Sequence, residues 1–538
     1  MKPFEDPITL SVVQHALEAI CEEMSITLRQ TAYSPNIKER MDFSCAIFDG
    51  QGNLLALKDG IPVHLGSMDA SVRAGLEVYK EEIHLGDTLI HNSPYLGGTH
   101  LPDITLYQPV FSNQNDKKPS FFLATRAHHA DIGGKSPGSM PGYSETLFEE
   151  GIIIPPIKLW KKGTLNTDVM NLLLSNVRTP IERQGDFRAQ KASLDVGEKR
   201  LIELIEEYSM DEFAKILDSL INRAELVMQK ELANFPEDKK LSAEDFLDSD
   251  GNEEEESPVK IKVEIFKTEG EKSITIDFSG SDAERLSNCN ATQAITRSCV
   301  FYVFRYLLSA IDEIPTNYGL WKPLKILLPK KSIVNSSFPL ATSSGNVETS
   351  QRIVDVLFKA LSPIKHLKIP AASQGTMNNI LIGGIHNNQF FSYYETIGGG
   401  TGATEQSKGE HGIHSHMTNT LNTPIEAIET TYPLRVTKYQ FRKNSGGEGH
   451  FRGGEGLIRE YEIISDTAFL SIQSERRKNA PYGLNGGDDG KVGQNHLIRN
   501  GKNIPLKGRI STKLVKGDII QIKTPGGGGY GKKTYLKP

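Results

Sequence analysis

Two short clusters of imidazole and carboxylate side chains carry the chemistry open to this sequence. The first lies in the glycine turn Gly97-Gly98-Thr99-His100-Leu101-Pro102-Asp103, where a proline bends the chain so that His100 and Asp103 can face one point. The second, Arg126-Ala127-His128-His129-Ala130-Asp131-Ile132-Gly133-Gly134, follows the β-rich run 121–125. An apolar run at 104–111 precedes the polar stretch 112–120, so these segments read as a hairpin with both clusters at one end of a sheet. Imidazole and carboxylate groups converging from two strand ends suit a divalent ion such as zinc, manganese or iron. The bland account gives these histidines to loop hydrogen bonds; three His and two Asp beside paired glycines favour the metal.

Other candidate groups are weaker. Asp42 precedes an apolar strand, where a carboxylate is costly to bury unless paired or metal-bound; by residues alone, a salt bridge to Arg40 and a ligand role stand level. His64, alone in the apolar run 61–68, reads as structural. Arg183 and Asp186 read as a solvated cap and salt bridge, and Glu475-Arg476-Arg477 as surface pairs. His411, His414 and His416 have a spacing that could bind metal, but His414, His416 and Asn419 fit better as substrate or interface residues in a flexible loop. The turn 343–351 could offer backbone amides to an anion or simply cap a helix; it lacks a Walker lysine, so no autonomous ATP site is expected. Gly526-Gly527-Gly528-Gly529 resembles a phosphate loop only in composition, and tight backbone packing explains it better. At 248–252 the glycine falls at the wrong position for a calcium loop.

The elements that position these groups are legible in outline. Asp6-Pro7 caps a long helix to about residue 30, whose apolar stripe includes Val12, Ile20 and Leu28. An alternating strand over 39–49 follows, then an expected buried edge strand at 151–157 and two or three helices between 167 and 235. The charged stretch 245–258 reads as a hairpin tip or linker, and a helix covers 294–310. From 374 onward short strands alternate with glycine turns. The expected fold class is α+β and multidomain, with a mixed α/β N-terminal half holding the metal site and a β-rich, glycine-rich C-terminal half. The expected domains are 1–245, 258–425 and 426–538.

A chain of 538 residues exceeds one core. With 38% hydrophobic and 24% charged residues it has an ordinary globular composition. A net charge of −6 provides no basic field for nucleic acid. No apolar run approaches membrane-spanning length, MKPFEDPITL has no signal-peptide core, and the scattered Cys21, Cys45, Cys289 and Cys299 fit a reducing compartment, so a cytoplasmic location is expected.

The phrases GGTHLPD, RAHHADIGG, GNVETSQR, QGTMNN, HMTNTLNTPIEA, YPLRV, SGGEGHFRGGEG and TPGGGGYG, spread from about Met41 to Gly531, resemble the B-subunit family of N-methylhydantoinase and 5-oxoprolinase. That family also includes acetone carboxylase alpha and caprolactamase beta subunits. The resemblance implies a metal held by Asp42, His100, Asp103 and His128. It leaves His129 as an acid/base or substrate contact and Asp131 as a partner orienting a ligand imidazole. It further implies a hetero-oligomer, in which a hydantoinase A-type subunit uses ATP to phosphorylate the carbonyl of a cyclic amide or ketone and this chain completes the reaction at its metal. HMTNTLNTPIEA departs from the 5-oxoprolinase pattern after MTNT, which favours hydantoin or lactam opening over 5-oxoproline. Ketone carboxylation and a non-catalytic scaffold role are the alternatives.

Overall fold

The computed structural model describes residues 2–58, 60–113, 115–237, 239–252, 257–309 and 314–533. Asp6 accepts hydrogen bonds from the Ile8 and Thr9 amides and Pro7 takes the first helical position, so α1 (Pro7–Thr31) starts where two local preferences agree. Its buried stripe includes Val13, Leu17, Ile20, Met24 and Leu28. After the single turn α2 (Pro35–Lys38) come β1 (Phe43–Asp49), β2 (Leu54–Lys58), α3 (Met68–Tyr79), β3 (Thr88–His91), β4 (Asp103–Val110), β5 (Phe121–His128), β6 (Ile157–Lys161) and β7 (Thr164–Leu165). These strands form one sheet in the order β2-β1-β5-β4-β3-β6-β7.

Where two or three helices are expected next, three form: α4 (Thr167–Leu174), α5 (Pro180–Glu206) and α6 (Met210–Leu232). Helices α1, α5 and α6 bury one sheet face around Cys45, Ile47, Leu106 and Leu123. Helix α3 buries the other around Phe48, Leu89, Tyr107 and Phe122. With both faces covered, β4 and β5 are buried along their whole length. The expected edge strand at 151–157 is not one. Its start makes no ladder: the Asn92 side chain donates to Ile152 O and accepts from the Ile154 amide, while the Asn92 amide donates to Ile154 O and the Ile152 amide to Ile132 O. The strand proper begins at Ile157 and lies inside the sheet. Arg183 and Asp186 are likewise not solvated: they pair at 2.8 Å with both side chains fully buried, and Asp186 also accepts from the Tyr33 and Ser34 amides.

A second sheet, β8 (Leu241–Leu247), β9 (Val259–Phe266), β10 (Ile274–Asp277) and β11 (Leu324–Leu327), has the order β11-β10-β9-β8. Strands β8 and β9 pair antiparallel from Leu241↔Ile265 to Leu247↔Val259, so 245–258 is a hairpin within one sheet and no linker between domains. Residues 253–256 of its tip lie outside the described residues. Strand β9 alternates buried and half-buried side chains. Its inner face packs on α7 (Gln293–Leu307) and α8 (Ser350–Leu361) through Val263, Val303 and Leu357.

The remainder comprises β12 (Asn379–His386), β13 (Gln389–Glu395), α9 (Ile425–Thr431), β14 (Leu434–Arg442), β15 (Gly456–Ile463), β16 (Thr467–Gln473), β17 (Gln494–Arg499), β18 (Lys502–Leu506), β19 (Arg509–Val515) and β20 (Ile519–Lys523). They form sheets β13-β12-β16-β19 and β14-β15-β20-β17-β18. The two share a core of Ile382, Leu470, Tyr461 and Ile520. Because β12 pairs with β16, this sandwich crosses the expected boundary at 425/426. The Gly526–529 run is a tightly packed backbone junction and not a phosphate loop, as expected from the packing account. The amides of Gly527, Gly528 and Gly529 bond the carbonyls of Gly454, Ala372 and Asp488, and a Cβ on Gly527 would stand 1.9 Å from Thr401 O. Among the described residues no helix is long and apolar enough to cross a membrane.

Candidate metal centre

Strand register brings the N-terminal cluster together. Asp103 opens β4 directly opposite His128, the last residue of β5, and the His128 amide donates to Asp42 O just before β1. Three adjacent strand ends therefore deliver Asp42, His128 and Asp103 to one place. His100 reaches it from the preceding turn, where Gly97 takes φ 93° and a Cβ would lie 2.4 Å from the Ser71 amide nitrogen. Buried Arg126 fixes that turn by donating to Gly97 O, Thr105 Oγ1, Ser67 Oγ and Ser71 Oγ.

His100 Nε2 lies 3.1 Å from His128 Nδ1, and each is 3.2 Å from Asp103 Oδ1. Ligands about 2.0–2.2 Å from one ion stand about 2.9–3.4 Å from each other at octahedral to tetrahedral angles. Two imidazole nitrogens and a carboxylate oxygen thus already have the spacing of a divalent centre. Among the described residues this is the one group of His, Cys, Asp or Glu that converges in this way. The other Asp103 oxygen is held by Thr99 Oγ1 at 2.5 Å, His64 Nε2 at 3.3 Å and Asn346 Nδ2 at 3.4 Å, and His64 Nδ1 meets Ser44 Oγ at 2.8 Å. One oxygen is left for the centre and the other is fully committed to orientation.

Charge states follow from burial. Burial pushes the Asp103 carboxyl up, but the surrounding His100, His128 and His64 hold it well below the usual range. Burial holds His128 and His64 below the ordinary imidazole value. An ionised Asp103 beside a neutral His128 is the protonation state that metal binding demands of those two groups. Burial raises Asp42, opposed by His128 and Arg40. Its carboxylate lines the same cavity, 3.8 Å from Arg40 Nη2 and outside the tight triad. That cavity measures about 20 Å³, room for about one water or ion. Val63, Met377, Tyr394 and Met417 form apolar walls, and Asn346, Thr418 and Thr420 add polar groups.

Other expected site residues stand elsewhere. His129, one residue beyond His128, points to the opposite sheet face: its Nε2 meets Gln190 Oε1 at 3.0 Å and its ring packs on Phe187. Asp131 orients no imidazole; it accepts from the Gly133, Gly138 and Arg178 amides and from Arg178 Nη1. The three later histidines do not converge. His411 accepts from the Glu455 amide, His414 meets Asn422, and His416 lies 3.8 Å from Asp355 with φ 59°. Asn419 is exposed and donates to Gly60 O. Their neighbours Met417, Thr418 and Thr420, not His414, His416 or Asn419, line the cavity. Glu475 and Arg476 are buried and Arg477 half-buried, with Arg476 paired to Asp245 at 2.8 Å and Glu475 to Arg509 at 3.0 Å.

Sequence reasoning missed His64, Asn346 and Tyr394. A lone histidine in an apolar run carries no signal of its own; its burial against Asp103 is the telling feature. His129→Gln, which keeps a polar partner for Gln190, is expected to retain full metal content by elemental analysis while losing about 1–2 kcal/mol of stability. Metal loss in that variant would move His129 into the centre.

Residues 6–533 match the family described as hydantoinase B/oxoprolinase, and the chain belongs to that family. An uncharacterized protein of Methanocaldococcus jannaschii is 42% identical over 98% of this chain and 91% of the relative. A putative D-/L-hydantoinase B subunit of Pseudomonas sp. is 32% identical, over 99% and 91% respectively. 5-Oxoprolinase 1 of Arabidopsis thaliana is 39% identical over 98% of this chain, which spans only 42% of that protein. The crystal structure of ATP-dependent caprolactamase from Pseudomonas jessenii superposes with TM-score 0.88 at 26% identity, covering 98% of this chain and 91% of that one. Nucleotide-free acetone carboxylase shares the fold at TM-score 0.90 and 19% identity, covering 98% and 76%.

Proposed function

We propose that the chain is the metal-bearing subunit of an ATP-dependent cyclic amide hydrolase, opening a hydantoin or lactam ring whose carbonyl a partner ATP-binding subunit has phosphorylated. The observation that carries this reading is the convergence of His100 Nε2, His128 Nδ1 and Asp103 Oδ1 to within 3.2 Å in a buried cavity. The names of the relatives support the substrate class, and the naming of one of them as a hydantoinase subunit supports a partner. His100, Asp103 and His128 would hold the ion, with Asp42 beside them as a fourth ligand. When bound, a divalent metal, zinc or manganese ahead of iron, supplies Lewis acidity that polarises a carbonyl or phosphoryl oxygen and activates water near neutral pH. His64 and Thr99 keep Asp103 in place; Thr418 and Thr420 offer hydroxyls to a polar ligand; Met377 and Met417 exclude solvent. The cavity is far smaller than the roughly 300 Å³ of ordinary small-molecule sites, so substrate entry needs the 417–420 wall to move.

The test is capture of the tagged chain from its own cells, followed by assay of the assembled complex with ATP and a panel of hydantoins and lactams. ATP-dependent ring opening, lost in His100→Ala while the complex stays assembled, is the expected result. Capture of a further small subunit with ketone carboxylation would overturn it in favour of the carboxylase reading. Undiminished turnover in assembled His100→Ala would leave the chain a scaffold.

A further inference from the structure

Ligand imidazoles ordinarily donate their second ring nitrogen to a carboxylate or carbonyl, which fixes both tautomer and ring plane. His128 does not. Its Nε2 is buried and has no hydrogen-bond partner among the described residues, although Nδ1 faces the carboxylate of Asp103. What holds the ring is a face. Tyr394 of β13 stacks on it with centroids 4.3 Å apart and planes 14° from parallel. The Arg40 guanidinium lies over the Tyr394 ring at 4.7 Å from the centroid, and Arg40 Nη1 donates to Tyr394 O.

The tyrosine is itself pinned at its far end. Its hydroxyl donates to Asn379 Oδ1 at 3.0 Å, and Asn379 Nδ2 donates onward to Glu348 Oε1 at 2.8 Å and Gln473 O at 2.9 Å. Glu348 Oε1 also accepts from the Met377 amide. Glu348 sits in the π-helical turn Gly345–Thr349, two residues after Asn346, which reaches Asp103 Oδ2. Such turns concentrate at functional sites because they push one extra residue toward a ligand. One turn therefore touches the triad directly through Asn346 and, through Glu348 and Asn379, anchors the ring that stacks on its second histidine. All of these side chains are buried.

We propose that Tyr394 is a positioning residue of the metal centre, setting the plane of the His128 imidazole so that Nδ1 faces the ion, with Asn379 and Glu348 fixing Tyr394 in turn. The inference rests on the metal reading above. It assigns to a residue far along the chain the task that a hydrogen-bonded carboxylate or carbonyl performs in other centres.

The test loads wild-type chain, Tyr394→Phe and Tyr394→Leu with Co²⁺, whose visible d–d spectrum reports ligand geometry independently of turnover, and measures affinity by competition with a chelator. Tyr394→Leu, which removes the stack, is expected to bind Co²⁺ about 10–100-fold more weakly with an altered spectrum. Tyr394→Phe keeps the ring but frees it from Asn379; a weakening of about threefold with a smaller spectral change is expected. Circular dichroism of the apo chains checks folding, and should Tyr394→Leu not fold, Tyr394→Phe decides. Spectra and affinities equal to wild type in the folded variants would overturn the proposal while leaving the metal reading intact. Failure of the wild-type chain to take up Co²⁺ would overturn the metal reading, and this inference with it.

Discussion

His100→Ala and His128→Ala are each expected to purify with less than about a tenth of the metal held by the wild-type chain, because even supporting residues around a metal cost 10–100-fold in affinity and a ligand costs more. Each histidine supplies one corner of a triangle of donor atoms 3.1–3.2 Å on a side, and alanine leaves two corners. Folding is expected to survive, since Asp103 keeps Thr99, His64 and Asn346 as hydrogen-bond partners. Inductively coupled plasma analysis of the two variants and of His129→Gln, purified side by side, separates the two faces of the strand end. Full metal retention by both alanine variants would remove the centre from this cluster.

The second large effect concerns stability. Arg459 Nε lies 3.1 Å from Glu395 Oε2, and both side chains are fully buried. Glu395 also accepts from the Tyr393 and Tyr461 hydroxyls, Asn422 Nδ2 and the Thr423 amide. Arg459→Met leaves that carboxylate buried without its counter-charge and is expected to cost about 3–5 kcal/mol in urea unfolding. A cost below about 1 kcal/mol would show that the tyrosines and amides suffice. The pH dependence has a definite sign. Burial pushes the Glu395 carboxyl up, but Arg459 and the hydroxyl donors more than offset it, so its folded value is depressed. The pair's contribution is therefore present above the unfolded value of about 4.3 and is lost as pH falls through the folded one. The gap between wild type and Arg459→Met is expected to narrow below about pH 4.3. Because Glu395 anchors Asn422 and Thr423, the variant should also loosen the adjoining 417–420 wall of the cavity.

The triad was legible in the sequence because its parts are local. A glycine turn, a proline between His100 and Asp103, and a polar hairpin loop together set the register that places Asp103 opposite His128. The alternation of a strand also separates His128 from His129, though only the structure shows that His129 serves a helix contact. What could not be read was long-range. His64 becomes informative only when Asp103 lies against it, and Asn346, Tyr394 and Thr420 come from segments more than 200 residues away. The same limit applies to charge. Arg183 and Arg476 read as surface residues because each sits among polar neighbours in sequence, yet each is buried with a partner brought by packing. At 151–157 an apolar run signalled a strand, but the Asn92 side chain takes Ile152 O and the Ile154 amide, and Ile132 O takes the Ile152 amide, in place of a ladder.

The enclosure of the triad has a kinetic consequence. With about 20 Å³ of free space and walls drawn from the 61–64, 346–347, 377–396 and 417–420 segments, a seated ion occupies a narrow recess in which the Asp42 side chain is still 10% exposed. Its release requires the ligand bonds to break while the narrow walls let it pass, so residence time reflects bond strength and local opening together. Isotope exchange and extraction by chelators should therefore both be slower than at an exposed site, and bulky chelators should act more slowly than small ones.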